Sequence, residues 1–328
     1  MSRSAGLPWH LSAVPSFTRA EANRHGVGWR RLAAPDLERT FHGVRRHVGA
    51  EPSIRELAEA YAKRMPRRQV FSHVTAAALW GIPVPRRAER ARPGPVADSA
   101  SARPLLHVAV PRGSARPSAA GVEGHVISFE SVRVIVHGGL RVVDPASAWV
   151  QLGASLRVDD LVAAAEYLIT GSQPFDGRVP LCGRDQLESA LAAHPGRRGI
   201  DALRRALAAA RWGALSRRET LLRLDLVRAG LPEPVPNHRV LDGRGELVAM
   251  IDLAYPDRRV GIEYQSDLHR STAQWRRDIR RIERLADAGW VIVQATADDV
   301  SADGELRDSA AFADRVRRRL VARGTDRG

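Results

Sequence analysis

The sequence predicts a mixed α/β protein, of the α+β kind, with more than one compact unit. The chain has 328 residues, which is enough for two or three domains with cores of their own. Short segments of alternating apolar and polar residues predict strands, and segments with helical periodicity lie between them. Helix-capping and turn residues separate these segments, as they do in folded globular proteins.

The charge balance favours an anionic partner. Lys and Arg together number 51 against 37 Asp and Glu, which gives a formal net charge of +14. DNA or another nucleic acid is the first candidate partner for such a basic chain. Lys63 is the only lysine, and arginine suits bidentate contacts with phosphate. An excess of arginine is also typical of a GC-rich genome, so composition bias is the alternative explanation.

Cysteine use and hydropathy favour a cytoplasmic protein. Cys182 is the only cysteine, which excludes a disulfide within the chain and a zinc site built from cysteines. No uninterrupted apolar run approaches the roughly 20 residues that a membrane helix needs. The first ten residues lack the apolar core of a signal peptide, so we expect a protein of the reducing cytoplasm with no membrane partner.

Residues 1–50 predict a small helical module with a wing. Thr18 and Glu21 have the spacing of a capping box, which begins a short helix. A second helix is predicted over residues 29–37 and a turn or wing over residues 40–47, which is the order of elements in a winged helix-turn-helix. The candidates for phosphate contacts are basic residues of this module: Arg30, Arg31, Arg45 and Arg46. A solvated basic face is the alternative interpretation.

Residues 51–170 predict a small α/β unit. Helices at its two ends flank short strand candidates that begin near residue 105. Asp144 is a predicted N-cap, with Pro145 at the first helical position. We expect His73 to be a packing or capping residue at the start of a helix. No active-site grouping is evident in this unit.

Two segments of the N-terminal half resemble the abortive-infection type IV antitoxins. Residues 15–48 resemble the N-terminal segment of those proteins. Residues 70–85, Val-Phe-Ser-His-Val-Thr-Ala-Ala-Ala-Leu-Trp-Gly-Ile-Pro-Val-Pro, resemble their middle region. The resemblance implies DNA binding and a cognate toxin or another defence-system partner, and it names no chemistry.

The C-terminal half predicts a second α/β unit. Residues 171–214 predict a helical linker, and residues 215–302 predict the order helix, three strands, helix, strand. The first of these helices carries Glu219 in its first turn. Residues 303–328 predict a basic C-terminal helix that either contacts DNA or is solvated.

Residues 251–265 carry the main functional signal of the chain. Apolar residues at every second position predict two strands, and a Pro-Asp pair supplies the turn between them. The pattern puts Asp252 and Glu263 on the polar side of adjacent strands, with Gln265 two residues further along on the same side. Because paired strands lie about 4.8 Å apart, the two carboxylates are predicted to converge on one hard cation.

This segment resembles the PD-(D/E)xK nuclease superfamily. Asp252, followed after ten residues by Glu263, Tyr264 and Gln265, resembles the Asp…Glu-x-Lys motif with Gln in the place of Lys. The Ser-Asp-Leu-His-Arg segment, helix and strand that follow resemble a domain-of-unknown-function family related to very-short-patch-repair endonucleases, common in high-GC actinobacteria. The resemblance covers about residues 215–300 and implies a restriction-endonuclease-like αβββαβ core for the domain predicted over residues 215–302.

The resemblance also implies a divalent metal site and phosphodiester hydrolysis. Asp252 and Glu263 would hold Mg²⁺ or Mn²⁺, and the carbonyl of Tyr264 would complete the protein ligands. Glu219 would reach the site from the first helix, directly or through water. Gln265 is neutral where the superfamily has lysine, so it would orient a water molecule but supply no charge. His269 would act as an acid, a base or a phosphate contact, or lie on the surface without a role.

The sequence leaves three functions open. The first is a metal-dependent DNA endonuclease with an N-terminal DNA-binding module. The second is a non-catalytic DNA-binding regulator of the antitoxin type that keeps a degenerate nuclease fold as a scaffold. The third is a protein-interaction role in a defence or toxin–antitoxin locus. Convergence of Glu219, Asp252 and Glu263 on one space would favour the first over the second.

Overall fold

The computed structural model confirms the mixed α/β class. It describes residues 6–89, 104–170, 179–194, 198–264, 272–296, 298–300 and 306–325, and within these ranges the side chains of 86, 89, 272–278 and 325 are outside the description. The chain forms two compact units. The first consists of residues 1–156 and 185–200, and the second of residues 157–184 and 201–328.

The first 156 residues contain seven helices and eight strands among the described segments. In chain order they are α1 Trp9–Ser12, β1 Ser16–Thr18, α2 Arg19–Arg24, α3 Trp29–Leu32, β2 Leu37–Phe41, β3 Val44–His47, α4 Ile54–Ala62, β4 Val70–Phe71, α5 His73–Trp80, α6 Arg86–Glu89, β5 Leu106–Pro111, β6 Val122–Ile127, β7 Val134–His137, β8 Leu140–Val143 and α7 Pro145–Leu152. A 3₁₀ turn covers Phe129–Ser131.

The remaining described residues add six helices and four strands. They are α8 Val158–Thr170, α9 Arg184–Ala192, α10 Ile200–Ala209, α11 Arg217–Arg228, β9 Val235–Leu241, β10 Leu247–Tyr255, β11 Val260–Tyr264, α12 Thr272–Asp287, β12 Val291–Ala295 and α13 Ser309–Thr325. A 3₁₀ turn, Pro256–Arg258, joins β10 to β11 where the sequence predicts a turn. Across the described residues, no helix combines the length and the apolar character that crossing a membrane requires.

The N-terminal module has the predicted order of helix, turn, helix and hairpin. Thr18 caps α2 through the capping box with Glu21, as predicted. The strands form a small antiparallel sheet in the order β1-β3-β2. The predicted helix over residues 29–37 is wrong in its length, because α3 ends at Leu32 and β2 begins at Leu37. Pro35 lies between them, and a proline there leaves no amide for a continuing helix.

The five-stranded sheet of the first unit has the order β6-β5-β4-β8-β7. Strands β5 and β6 are parallel, as are β4 and β8, and the other two pairs are antiparallel. Asp144 caps α7 by accepting the amide of Ser147, with Pro145 in the first turn, as predicted. The short central strand β4 is absent from the strand candidates of the sequence, because two residues give no measurable alternation.

The second unit is built on a four-stranded mixed sheet in the order β12-β11-β10-β9. Strands β9, β10 and β11 are antiparallel neighbours, and β12 runs parallel to β11. The predicted order of helix, three strands, helix and strand is therefore confirmed. The predicted basic C-terminal helix exists as α13, and one face of it buries Phe312, Ala313 and Val316 in the core of this unit.

Helix α8 belongs to the second unit, although the sequence analysis placed it in the middle region. The reason is a buried polar network between α8 and α11. Glu166 is fully buried and accepts hydrogen bonds from the Thr220 hydroxyl at 2.6 Å and from Arg223 at 2.6 Å. Arg223 also pairs with Glu233. A buried carboxylate or guanidinium without a partner would strongly destabilise the unit. The ion pair between Glu166 and Arg223 therefore holds α8 against α11.

Candidate active site

A row of polar side chains crosses the sheet of the second unit. The register pairs Leu253 with Ile262, so Asp252 and Glu263 occupy the next facing positions of β10 and β11. On one side, Asn237 of β9 occupies the position that faces Asp252. On the other, Glu263 pairs directly with Gln294 of β12. Because facing residues of paired strands project to the same face, we call Asn237, Asp252, Glu263 and Gln294 the polar row.

Glu219 is tied to this row from the first turn of α11. Its amide donates to the Ser216 hydroxyl at 3.2 Å, which caps the helix as predicted. Its carboxylate accepts the amide of Leu215 at 2.9 Å and the side-chain amide of Asn237 at 2.7 Å. Asn237 also donates to the carbonyl of Gly213 at 2.7 Å. Asn237 therefore positions Glu219, a role that its place in a strand did not predict.

Asp252 is partly buried and lies within electrostatic range of Glu219. Its carboxylate accepts the amide of Tyr264 at 2.9 Å, which orients it along β11. The pKa of Asp252 is raised to about 6, chiefly by burial and also by the charge of Glu219, against the opposing effects of the Tyr264 amide and the charge of Arg281. Burial likewise raises the pKa of Glu219. A carboxylate whose ionisation is disfavoured by a second carboxylate is a common feature of cation sites.

Glu263 is buried and forms an ion pair with Arg281 of α12. One guanidinium nitrogen lies 2.6 Å from one carboxylate oxygen, and a second nitrogen contacts the other oxygen. Only 2% of Glu263 is exposed, and the two parallel hydrogen bonds make this a bidentate pair. The predicted metal ligand therefore already has a cationic partner, which the spacing of 18 residues along the chain does not reveal.

The donor set fits a hard divalent cation in part. Glu219 and Asp252 offer carboxylate oxygens, the ligands that Mg²⁺ and Mn²⁺ prefer, and neither has an ion-pair partner among the described side chains. A cation between them would relieve their repulsion. Glu263 would join them only by exchanging Arg281 for the metal. Gln265 and His269, also predicted for this site, lie outside the described residues.

Asp252→Asn is expected to stabilise the metal-free protein above pH 7 by about 1–2 kcal/mol. The folded chain raises the pKa of Asp252 to about 6, so ionisation of this group opposes folding. The stability supplied by the protonated form is complete below about pH 4 and is lost as the pH rises through about 6. Thermal unfolding in EDTA from pH 4 to 8 measures this pH-dependent stability in wild type and Asp252→Asn. The control is Asp257→Asn, a substitution at an exposed residue. An identical pH dependence in wild type and Asp252→Asn would contradict this.

The N-terminal arginines predicted to contact phosphate are mostly engaged within the module. Arg31 pairs with Asp36 at 2.6 Å and Arg46 with Glu38 at 2.7 Å. Arg45 donates to the carbonyl of Leu32 at 2.9 Å. Arg30 is exposed, and its guanidinium lies 5.6 Å from the centre of the Trp29 ring. Of the four predicted contacts, Arg30 is therefore the one that the structure presents to solvent.

Two further arginines, which the sequence analysis missed, surround Arg45. Arg39 faces Arg45 across the β2–β3 hairpin, and the amide of Arg19 donates to the carbonyl of Gly43 in the hairpin turn. Burial lowers the pKa of Arg45, and the charges of Arg39 and Arg19 lower it further. We call Arg19, Arg39 and Arg45 the hairpin arginines. Their proximity depends on strand register, which the sequence alone did not give.

The comparisons with known proteins give relatives but no family. No protein-family model matches the sequence. Two Mycobacterium tuberculosis proteins are similar: the uncharacterized protein Rv2248 of strain H37Rv and the uncharacterized protein MT2308 of strain CDC 1551. Each is 28% identical over 285 residues, which covers 87% of this chain and 92% of the relative. The likeness therefore extends through both units, and neither name states an activity.

Proposed function

We propose that the protein is a metal-dependent DNA endonuclease with an N-terminal DNA-binding module. The observation that carries the proposal is the placement of Asp252 beside the buried Glu263 on facing strands, with the charge of Glu219 from α11 acting on Asp252. The fold around them has the order of helix and strands that the resemblance to PD-(D/E)xK nucleases implies. Hydrolysis of a phosphodiester needs such acidic groups, because a divalent cation must be held where the phosphate binds.

The residues of the polar row and Glu219 have distinct roles in this proposal. Asp252 and Glu219 would hold Mg²⁺ or Mn²⁺, with Glu263 joining them when Arg281 is released. The bound cation would stabilise charge on the phosphate and lower the pKa of an attacking water. Asn237 would keep Glu219 in position. Direct calorimetry of Mg²⁺ and Mn²⁺ binding, with wild type against Asp252→Asn, tests this assignment.

Arg281 offers the positive charge that Gln265 does not. In the superfamily motif a lysine stands at the position of Gln265, and a neutral amide cannot replace its charge. The charge of Arg281 already acts on the site, since it lowers the pKa of Asp252 against the larger effect of burial. Arg281 would therefore pair with Glu263 in the metal-free protein and balance phosphate charge in the complex.

Two basic surfaces support DNA as the substrate. The hairpin arginines and the exposed Arg30 belong to a module with the element order of a winged helix. In the second unit, a cleft of about 330 Å³ borders β12 and is lined by Gln294 and by basic residues of α13, which include the exposed Arg318 and Arg319. Each surface offers guanidinium groups for a phosphate backbone.

Arg39→Gln combined with Arg19→Gln is expected to weaken DNA binding about 10-fold or more in moderate salt. The salt slope should fall by about 1 for each phosphate that the variant no longer neutralises. Fluorescence anisotropy with a labelled duplex at several salt concentrations measures both effects. The matched control is Arg204→Gln combined with Arg205→Gln, two exposed arginines of the second unit. Equal affinity and equal salt slope in the double variant and the control would contradict a DNA-binding role for the hairpin.

One observation favours a second function, the non-catalytic DNA-binding regulator. Arg281 occupies both oxygens of Glu263, and a neutral Gln265 follows it, so the motif lacks two features of an active nuclease. In this alternative the polar row is a structural network, and binding to DNA is the whole activity. Metal affinity of Arg281→Gln distinguishes the two, because the variant would free Glu263 and strengthen Mg²⁺ or Mn²⁺ binding in a nuclease, whereas in a scaffold it would only destabilise the fold.

A further inference from the structure

A cluster of three histidines and a glutamate lies on the first unit, in the region where the sequence shows no active-site grouping. Parallel strands β5 and β6 pair His107 with Glu123, and His125 follows Glu123 by two residues. All three side chains therefore project from the same face of the sheet. The Nδ1 atom of His107 lies 2.9 Å from the Nε2 atom of His125. Ligand atoms of the three residues all lie within 4.8 Å of one another.

The residue between Glu123 and His125 keeps these two side chains on the open face. Gly124 faces the opposite side, where an added Cβ would lie 2.0 Å from the carbonyl oxygen of Pro117. The carbonyl of Gly124 also accepts a hydrogen bond from Arg116 at 2.6 Å. A larger residue at this position would displace either β6 or residues 116–117. The Glu-Gly-His sequence thus fixes the direction of both potential ligands.

His73 packs against one side of the cluster, where its ring contacts His125. Its ring stacks on that of His125 with centroids 3.7 Å apart and planes 19° apart. The backbone of His73 has φ +49°, a left-handed conformation that is uncommon for residues other than glycine. Its amide donates to the side chain of Gln151 at 2.8 Å, and its Nδ1 lies 3.0 Å from the Ser72 hydroxyl. These contacts hold the His73 ring in place against His125.

The surroundings suit metal ligation by neutral imidazoles. The rings of His107 and His125 are partly buried, and their facing nitrogens share one hydrogen bond. A neutral imidazole keeps one lone pair, so a cation between the two rings would take the place of the shared proton. Glu123 is exposed and adds a carboxylate, so the set offers two nitrogens and one oxygen. Imidazole and carboxylate together are ligands for Zn²⁺ and neighbouring first-row metals.

We propose that His107, Glu123 and His125 bind one divalent transition-metal ion, with Zn²⁺ as the best match. In a tetrahedral zinc site with Zn–N bonds of about 2.05 Å, two ligand nitrogens lie about 3.3 Å apart. The observed separation of 2.9 Å needs only a small rotation of the two rings. Three protein ligands, of which Glu123 is exposed, leave a fourth coordination position for water or an exchangeable ligand, as in catalytic zinc sites. The cluster lies in the first unit and does not depend on the proposed nuclease site.

The test is titration of the full-length, chelator-treated protein with Zn²⁺, followed by calorimetry and by competition with a chromophoric zinc indicator. We expect one equivalent to bind. His107→Gln, His125→Asn and Glu123→Gln should each weaken the affinity, the histidine variants by about 100-fold or more. The matched control is His137→Gln, a histidine of β7 in the same sheet that lies outside the cluster. It should bind Zn²⁺ as the wild type does.

A second measurement needs no variant. Co²⁺ added to the wild-type protein should give the intense visible absorption of a four- or five-coordinate ion, and one equivalent of Zn²⁺ should abolish it. The proposal is overturned if the wild type binds no Zn²⁺ and gives no such Co²⁺ spectrum. It is also overturned if folded His107→Gln and His125→Asn, checked by circular dichroism, bind Zn²⁺ as tightly as the control.

Discussion

Asp252→Asn is expected to reduce DNA cleavage at least about 1,000-fold while leaving the fold and DNA binding intact. The substitution keeps the size of the side chain and its ability to accept the Tyr264 amide, which lies 2.9 Å away. It removes one of the two carboxylate charges without an ion-pair partner among the described side chains, and with it the attraction for a cation. Initial rates of plasmid nicking in Mg²⁺ and in Mn²⁺ measure the effect.

The matched control is Asp257→Asn, which lies in the turn that follows the same strand. Asp257 is exposed and lies five residues from Asp252. Because both variants replace Asp with Asn, they change the net charge by the same amount. We expect this variant to cut DNA at the wild-type rate. If Asp252→Asn cut DNA as fast as Asp257→Asn, the assignment of Asp252 would fail even if the wild-type protein were a nuclease.

Arg223→Leu is expected to destabilise the protein by about 3–5 kcal/mol, because it leaves the buried carboxylate of Glu166 without its ion-pair partner. Only 1% of Arg223 is exposed, and it contacts both Glu166 and Glu233. The control Arg205→Leu changes an exposed arginine of α10 and should stay within about 0.5 kcal/mol of wild type. Urea unfolding followed by circular dichroism gives both values.

A double variant separates the ion pair from simple packing. Glu166→Leu combined with Arg223→Leu removes both charges from the buried position between α8 and α11. We expect it to cost less than the sum of the two single variants, since no unpaired charge remains at that position. Additive costs would mean that the two side chains stabilise the unit independently.

Much of the fold could be predicted because its signals are local. The capping box of Thr18 and Glu21, the cap at Asp144 and the alternation along β10 and β11 each depend on residues close in the chain. The helix predicted over residues 29–37 is shorter in the structure because Pro35 interrupts the apolar pattern. The candidate carboxylates were predicted for the same reason, since two neighbouring strands carry both Asp252 and Glu263.

The missed features depend on contacts between residues distant in the chain. Arg281 reaches Glu263 from a different helix, and no spacing rule specifies that pair. His107 and His125 meet because β5 and β6 are parallel and in one particular register, which a sequence does not state. The pairing of Arg39 with Arg45 is likewise a matter of register. Periodicity predicts which face a side chain occupies, but it does not predict which strand lies beside it.

Cleavage by the purified wild-type protein tests the central proposal most directly. Supercoiled plasmid and single-stranded DNA are incubated with the protein in Mg²⁺, in Mn²⁺ and in EDTA. A metal-dependent endonuclease nicks or linearises the DNA with either cation and leaves it intact in EDTA. A protein that binds DNA in a salt-dependent manner, yet cuts neither substrate with either cation and binds neither cation by calorimetry, would contradict the nuclease and leave the regulator.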